Sequence, residues 1–574
     1  MNKTGFLVIV FFLLTALPAT AENYLLNGGQ DAVIDYRLAQ SVTPAASTRK
    51  LVLSFVEPVS YLSPTYKQQV ERFDLSFSSR PDTREKSRDE HGNTIITATW
   101  NNPPEQLTST VALAVKNRVT LATLETAAPF PVSGLPDDIK PYLAATEQVP
   151  ADHPRIQDKA RKLTASARTQ FDAMQQILTW LIDHMRYVQP PAEYGALYAL
   201  ESGKGNCQNY SHLAAALMRA AGMPVRIVNG VTLKEPYEIQ QPSGVLVMRN
   251  AQGRHSWVEV YFPDLKWVPV DPQSMQLFVS NRFIRVEVGL DNEDTENDGL
   301  IRWSRLKGTT GKPSFREEIS AEFVNDQVKL AAQNTAYGPR NRLFSPAVAA
   351  RFQKTTKDYQ EPEPEPVSPK QLEQLRYTRP FVFGNLEFPE NLDFSTARPR
   401  VEEAPDGTMK MAKTFLVETA EYVTTRGRKY AQSFILKKPL DLKSVGLALH
   451  SFSAEGQIWA ELFADQDGIP GELLATSEMR AVSGIKHSPG YQWIDFDFSD
   501  ETRLLAPGRY WVALGFTDGP IINWFFSFGK PTGPQDGTRF RTLFDDKWSH
   551  SLNFEFNYRV RGLVPKESIS PDTT

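Results

Sequence analysis

The fold of this 574-residue protein is decided by the stretch GNCQNYSHLAAALMRAAGMPVRIVNG, residues 205–230. Gly205 interrupts regular structure, and the apolar residues that recur after it at three- and four-residue spacing predict a helix over 207–221. Gly222 and Pro224 then end that helix. The β-branched residues that follow predict a strand, so a helix precedes a strand in this part of the protein.

Cys207 is the only cysteine in the sequence, and it stands at the predicted start of the helix. A thiol in this position lies beside unpaired backbone N–H groups, whose partial positive charge favours the thiolate. The backbone N–H of Cys207 is also placed to hold the oxyanion of an attacked carbonyl group. An inert buried thiol and an intermolecular disulfide are the alternatives. The surroundings favour a reactive nucleophile.

A thiolate mechanism also requires a histidine that moves protons and a third group that orients it. Strands are predicted at 225–233, 255–262 and 266–270. His255 opens the second of these strands, and Asp271 directly follows the third. The two residues therefore belong to one predicted hairpin.

The loop of that hairpin decides whether His255 and Asp271 meet. If residues 263–265 form a three-residue loop, Phe262 pairs with Lys266, and His255 becomes a diagonal neighbour of Asp271 on one face of the sheet. A loop one residue longer would place the two side chains on opposite faces. We predict the shorter loop.

Two further helical features surround this region. The segment 156–188 carries apolar residues at helical spacing and predicts a long amphipathic helix that packs on a core. His212 lies on the same predicted helix as Cys207 but faces roughly 140° away from the thiol. We therefore expect His212 to be a solvent or core histidine.

Charge and the first residues limit the class of protein. The chain has 63 basic and 67 acidic residues and no long basic stripe, so nucleic acid is not an expected partner.

The first residues predict a secretory signal peptide cleaved after Ala21. Its features are Lys3, the apolar run at 6–17 and the small residues before Glu22. An uncleaved membrane anchor is the alternative, but the run is shorter than the ~20 residues that a membrane span needs. No other segment is apolar enough to span, so no transmembrane helix is expected after cleavage. The mature protein is predicted to be periplasmic or secreted.

Segments rich in β-strand and helix patterns alternate along the chain. They predict an α+β multidomain protein whose central core is flanked by two antiparallel β-sandwich domains. The stretch YQEPEPEPVSPK, residues 359–370, is typical of a stiff extended linker. The predicted division is a signal peptide at 1–21, an N-terminal β-sandwich at 22–131, the core with a helical lead-in at 132–290, an irregular region and Pro/Glu-rich linker at 291–376, a C-terminal β-sandwich of jelly-roll type at 377–565 and a tail at 566–574.

The blocks GNCQNYSHLAAALMRAAGMPVRIVNG and HSWVEVYFPDLKWVPVDPQ together resemble the bacterial transglutaminase-like superfamily. The shared pattern is a Gly-x-Cys helix start, a Gly-x-Pro-x-Arg strand, a His-x-Trp-x-Glu strand and an Asp-Pro, in this order. The resemblance implies a papain-like core in which Cys207 is the nucleophile, His255 is the base and acid, and Asp271 orients the histidine. It also implies a thioester on Cys207, formed from an amide of a peptide or protein substrate.

The motif leaves several positions open. Tyr187, Gln189 and loop residues are all candidates for the second oxyanion donor. Trp257, Trp267 and Glu259 resemble family positions for which we expect a structural role. In the C-terminal domain a cell-wall or carbohydrate ligand is one interpretation of the tryptophans, and packing in the core is the favoured one, for Trp459, Trp493, Trp511, Trp524 and Trp548.

The acidic segment DTENDGLIRWSR, residues 294–305, matches the first half of a calcium-binding loop. Arg305 stands where the bidentate glutamate of such a loop should be. We therefore expect a solvated acidic loop and predict neither a metal nor a cofactor.

Two functions of different classes follow from the sequence. The first is an exported thiol acyl-transfer enzyme whose thioester is resolved by water, as in a peptidase or amidase, or by an amine, as in cross-linking. Hydrolysis is slightly favoured because no acceptor site can be identified. The second is a non-catalytic cell-envelope binding or scaffold protein with a silent core. It gains support if Cys207 is sealed from solvent or lies far from His255.

Overall fold

The computed structural model describes residues 23–565 apart from internal gaps. The predicted signal peptide, the tail and most of the linker therefore lie outside the described residues. The gaps are 122–124, 188–190, 242–243, 249, 251, 274–277, 336–342, 345–348, 351–366, 385–390, 393–400, 412–420, 426, 437, 453–454, 488–489, 499–502, 518–519, 528–536, 543–544, 546 and 549–554.

Two antiparallel sheets form a β-sandwich at the N-terminal side, as predicted. The first strands are β1 (Asn23–Thr43), β2 (Thr48–Glu57), β3 (Tyr61–Leu62), β4 (Tyr66–Phe77), β5 (Thr83–Arg88), β6 (Thr94–Asn101), β7 (Leu107–Leu121) and β8 (Glu125–Thr126). One sheet contains β1, β7, β4 and β3 in this order, and the other contains β2, β6 and β5. Alternate residues such as Leu113 of β7 and Leu53 of β2 meet in one buried apolar cluster, which holds the sheets together.

The central core has the predicted α+β composition. A short 3-10 helix, Lys140–Leu143, precedes α1 (Pro154–Thr164), α2 (Gln170–His184), β9 (Arg186–Tyr187), α3 (Ala196–Ser202), β10 (Lys204–Gly205), α4 (Cys207–Ala220), β11 (Val225–Thr232), β12 (Tyr237–Gln241), β13 (Gly244–Met248), β14 (Gly253–Phe262), β15 (Lys266–Val270) and β16 (Phe283–Gly289). Four strands form a sheet in the order β15, β14, β11, β16. Leu213 and Leu217 of α4 pack with Val258 and Val260 of β14 in the core. Within the described residues no helix is long and apolar enough to cross a membrane.

The single helix expected over 156–188 is two helices, α1 and α2. The reason is Thr169, which has extended backbone and whose hydroxyl accepts the N–H of Asp172, so it caps a new helix start. The apolar stripe of α2 is buried as predicted, with Ile177 and Leu181 both fully enclosed.

The region 291–376, expected to be irregular, contributes strands to the N-terminal sandwich. It contains β17 (Leu300–Arg305), β18 (Ser314–Thr335), β19 (Leu343–Phe344), β20 (Ala349–Ala350) and α5 (Pro369–Gln374). β17 pairs with β2, and β18 pairs with β1 along its whole length. The expectation of irregular structure was wrong here because Phe315, Ile319 and Phe323 turn one apolar face of β18 toward the core while charged residues occupy the positions between them.

The described residues from Tyr377 onward form mainly a second β-sandwich, as predicted. Its strands are β21 (Tyr377–Gly384), β22 (Asn391–Leu392), β23 (Val401–Glu403), β24 (Met409–Met411), β25 (Glu421–Thr424), β26 (Arg428–Leu436), β27 (Leu440–Ser451), β28 (Gln457–Gln466), β29 (Ile469–Thr476), β30 (Arg480–Ala481), β31 (Tyr491–Asp497), β32 (Arg503–Leu505), β33 (Gly508–Phe516), β34 (Ile522–Ser527), β35 (Thr538–Thr542), β36 (Glu555–Phe556) and β37 (Tyr558–Pro565), with a 3-10 turn at Val482–Gly484. β23 and β24 leave this group and extend the N-terminal sandwich beside β17. The other strands make two sheets around one apolar cluster, and we call them the C-terminal sandwich.

A glycine at the centre of the core sheet gives a test of the packing. Gly230 lies opposite His255, and a Cβ at this position would overlap the carbonyl oxygen of Ile284 and the ring of Trp257. We expect Gly230→Ala to lower the free energy of unfolding by about 1–3 kcal/mol, measured by urea titration. Gly484→Ala is the matched control, because nothing lies within 4 Å of a Cβ there. Equal losses in both variants would contradict the steric explanation.

Candidate active site

Cys207 is the first residue of α4, and the turn around it is fixed by a capping box. The side chain of Asn206 accepts the N–H of Gln208 at 3.1 Å, and the side chain of Asn209 accepts the N–H of Asn206 at 3.1 Å. A Cβ on Gly205 would overlap Asn209, so the approach to the helix requires glycine. Among the described residues no acceptor takes the N–H of Cys207 itself. That N–H remains able to bind an oxyanion.

The hairpin of β14 and β15 has the register that the three-residue loop predicts. Phe262 pairs with Lys266, and the pairing continues without a shift to the end of β15. Asp271 follows directly, and its Oδ2 lies 3.0 Å from Nε2 of His255. Both side chains are almost fully buried. The structure therefore brings together the histidine and the carboxylate that the sequence pairs.

The remaining ring nitrogen of His255, Nδ1, is buried and has no hydrogen-bond partner of ordinary geometry among the described residues. The Cys207 thiol lies close enough to affect the charge of the ring. Burial works against the imidazolium, but the Asp271 carboxylate and then the Cys207 sulfur outweigh it and raise the pKa of His255 to about 10. A charged imidazolium, hydrogen-bonded to Asp271, is the state of His255 that these contacts favour.

Two aromatic rings enclose His255. The Phe283 ring meets the imidazole edge-on with centroids 5.2 Å apart, and the Trp257 ring lies 6.0 Å away. The carbonyl oxygen of Phe283 accepts hydrogen bonds from Tyr66 Oη at 2.8 Å and Asn117 Nδ2 at 2.7 Å. Tyr66 and Asn117 belong to the N-terminal sandwich, so that domain fixes one wall of the histidine pocket. Sequence reasoning missed this wall because its partners lie more than a hundred residues apart.

The candidates for the second oxyanion donor are only partly described. Tyr187 pairs with Gly205 across the short parallel ladder of β9 and β10. Gly205 lies two positions before Cys207 in the sequence, so the backbone of Tyr187 is near the start of α4. Gln189 lies outside the described residues. The role of both residues stays a prediction.

His212 is a core histidine, one of the two alternatives that its helical position predicts. It is fully buried, its Nδ1 lies 2.7 Å from the carbonyl oxygen of Tyr194, and its Nε2 accepts the N–H of Asn292. Burial lowers the pKa of His212 to about 4. The ring is therefore neutral and structural.

Glu259 of β14 forms a buried ion-pair network with two arginines. Its carboxylate contacts the Arg226 guanidinium at 2.5 Å and that of Arg285 at 2.8 Å. Burial opposes the charge of Glu259, but the two arginines outweigh it and hold its pKa below the ordinary value. Arg226 also lies 4.2 Å from the ring centre of Trp267. The Arg and Glu of the two sequence motifs thus bind each other, which accounts for their structural role.

The acidic loop is not solvated as expected. Asp298 is buried and pairs with Arg254 at 2.6 Å, while Glu296 pairs with Lys410 at 2.5 Å. The expectation was wrong because these cations come from β14 and β24, which the sequence does not place nearby. Across the described residues, no group of three or more His, Cys, Asp and Glu is arranged to hold a metal ion.

The tryptophans of the C-terminal sandwich divide into two groups. Trp493, Trp511 and Trp524 are buried, as the packing interpretation predicts. Trp459 and Trp548 are partly exposed. A carbohydrate ligand for this domain stays a prediction.

Comparison with known proteins agrees with this geometry. Residues 157–272 match the sequence model of the Transglutaminase-like superfamily. These residues therefore form a transglutaminase-like domain. It contains the helix that begins at Cys207 and the hairpin that brings His255 and Asp271 together.

Relatives match parts of the chain. The uncharacterized protein YebA of Bacillus subtilis (strain 168) is 31% identical over 139 residues, which make up 23% of this chain and only 18% of YebA. A protein-glutamine gamma-glutamyltransferase of Pseudomonas aeruginosa is 32% identical over 75 residues, which are 13% of this chain and 11% of the relative. The solved periplasmic domain of TgpA from Pseudomonas aeruginosa is 17% identical, with a TM-score of 0.22, and the match covers 41% of this chain and 89% of that domain.

The Glu259 network gives a stability test. Glu259→Gln leaves two buried guanidinium groups without their counter-charge, and removing one partner of a buried pair costs about 3–5 kcal/mol. Urea titration should show a loss of this size. The matched control is Glu57→Gln, whose pair with Lys86 is largely exposed and is worth less than about 1 kcal/mol. A small loss for Glu259→Gln would contradict the network.

The raised pKa of His255 predicts a pH dependence. The stability from the charged ring is complete below the pKa of histidine in an unfolded chain, about 6.5, and is lost as the pH rises through the folded value. That folded value is about 10. The difference in unfolding free energy between wild type and Asp271→Asn should therefore shrink across this window.

Urea titrations at several pH values measure that difference. Asp264→Asn is the control, because Asp264 lies in the same hairpin but accepts hydrogen bonds from Thr126 and Ala127. Its effect should not change with pH in this range. A constant difference for Asp271→Asn would show that His255 is not held charged.

Proposed function

We propose that this protein is an exported thiol acyl-transfer enzyme in which Cys207 attacks an amide bond of a peptide or protein. The observation that carries the proposal is the hydrogen bond of His255 to Asp271, which leaves the other ring nitrogen for a thiol at a helix start. Nucleophile, base and orienting group are thereby provided by α4 and one hairpin. The apolar stretch at 6–17 supports export.

The chemistry follows from these positions. The Cys207 thiolate attacks the amide carbon, and the N–H of Cys207 donates to the oxyanion that forms. The His255 imidazolium then gives its proton to the leaving amine, the C–N bond breaks and a thioester remains. Asp271 holds the ring through Nε2 and stabilises its positive charge before this proton is given.

The thioester is next attacked by water or by an amine, and His255 takes the proton of the attacking group. Water releases an acid and completes hydrolysis, whereas an amine forms a new amide and completes a cross-link. We favour hydrolysis of peptide or isopeptide bonds, because water is abundant and the described residues form no identified amine site. Both outcomes use the same three residues.

A second candidate is a binding or scaffold protein with a silent core. One observation favours it: the side chain of Cys207 is 0% exposed. The same burial is compatible with an enzyme whose nucleophile becomes accessible in a different arrangement of domains. The two candidates therefore differ in whether Cys207 ever meets a substrate.

A mass assay separates these functions. Purified protein is incubated with a library of glutamine-containing peptides, with and without a primary amine, and the products are read by mass spectrometry. Addition of the amine with loss of ammonia shows transfer, cleavage shows a peptidase, and replacement of the amide nitrogen by oxygen shows deamidation.

Variants of the triad complete the assay. We expect Cys207→Ala and His255→Gln to reduce product formation by at least about 10³-fold, because the groups act as a unit. Asp264→Asn serves as the matched control and should retain activity. Products that form equally with Cys207→Ala would contradict the proposal, as would no product from wild type under any condition that exposes the thiol.

A further inference from the structure

The three residues of the candidate active site are sealed from solvent. Cys207 is 0% exposed, His255 4% and Asp271 3%. An amide in a peptide or protein substrate is part of a chain several ångströms wide and must reach the sulfur directly. The described arrangement is therefore a closed one, and something must move before a substrate can bind.

The apolar surroundings of Cys207 show which part covers it. Other buried residues of α4, such as Tyr210 and Leu213, pack in the cluster formed with α1 and α2. Cys207 instead belongs to the buried cluster of the C-terminal sandwich, together with Trp524 and Phe556. The thiol thus packs in the apolar core of the C-terminal sandwich and not in the core of its own domain.

We propose that the C-terminal sandwich is an autoinhibitory cover, which occupies the approach to Cys207 and moves away as a body to admit substrate. The inference rests on the proposed function, since a cover inhibits only if Cys207 is a nucleophile. The sandwich has its own two sheets and its own apolar cluster. It can therefore separate from α4 without losing its internal structure.

The fraction of molecules in which the cover is open sets the apparent affinity for substrate. If the closed arrangement outnumbers the open one by about 100 to 1, the apparent affinity for substrate falls by the same factor. A partner or substrate that binds the open arrangement would restore it. The closed state also protects the single thiol from oxidation, because oxidation requires an accessible thiolate.

Labelling of the thiol tests the cover, because Cys207 is the only cysteine in the chain. Full-length protein is treated with iodoacetamide or with a bulky polyethylene-glycol maleimide across a range of low urea concentrations. The reference is the double variant Cys207→Ser with Ser76→Cys, whose thiol lies at an exposed position of β4. Global unfolding is followed in parallel by circular dichroism.

We expect Cys207 to react at least about 100-fold more slowly than the reference thiol. Urea should accelerate the reaction through an opening that exposes less surface, and needs less free energy, than global unfolding. Both reagents should be slowed by the same factor, because movement of a whole domain admits a large reagent as well as a small one.

Three results would overturn the cover. They are labelling as fast as that of the reference, labelling only upon global unfolding, and a larger slowing for the bulky reagent, which would indicate a narrow local gap. Labelling does not require catalysis, so the two proposals fail separately. A protein that opens as expected but forms no product contradicts the enzyme and not the movement. Turnover with a freely reactive thiol contradicts only the cover.

Discussion

The hydrogen bond between His255 and Asp271 depends on the register of a single hairpin. Three loop residues set that register, and one more would turn the two side chains to opposite faces of the sheet. The bond occupies Nε2 of the ring, leaves Nδ1 for the thiol and supplies the negative charge that keeps the buried imidazole protonated. Cys207 at its helix start can act as a nucleophile only with a histidine nearby to move protons, and this bond holds the His255 ring for that purpose.

The flanking domains take part in the site rather than merely surrounding it. The N-terminal sandwich holds Phe283 against the imidazole through Tyr66 and Asn117. Its own strands are completed by β17 and β18 from beyond the core, so the chain returns to the first domain after building the second. The C-terminal sandwich also contributes, since its apolar cluster contains Cys207. One buried site thus joins three parts of the molecule.

Local sequence patterns made much of the candidate active site predictable. The helix at Cys207, the strands that carry His255 and Asp271, and their register all follow from spacing and turn chemistry within 70 residues. The strand β18 was not predictable in the same way, because charged residues separate its apolar positions and its partner is nearly 300 residues away. The expectation that the acidic loop is solvated was wrong for a similar reason. Arg254 and Lys410 pair with its carboxylates, and neither cation is adjacent to the loop in sequence. Burial of Cys207 by a distant domain leaves no local signal at all.

The charge state of His255 tests the central claim most directly. Nitrogen-15 NMR of histidine-labelled protein distinguishes a protonated ring from either neutral tautomer, and His255→Gln identifies its signal. The structure predicts that His255 stays protonated well above neutral pH and titrates near pH 10, with a lower pKa in Asp271→Asn. A neutral ring at pH 7 in the wild-type protein would contradict the charge-paired site on which the proposed mechanism depends.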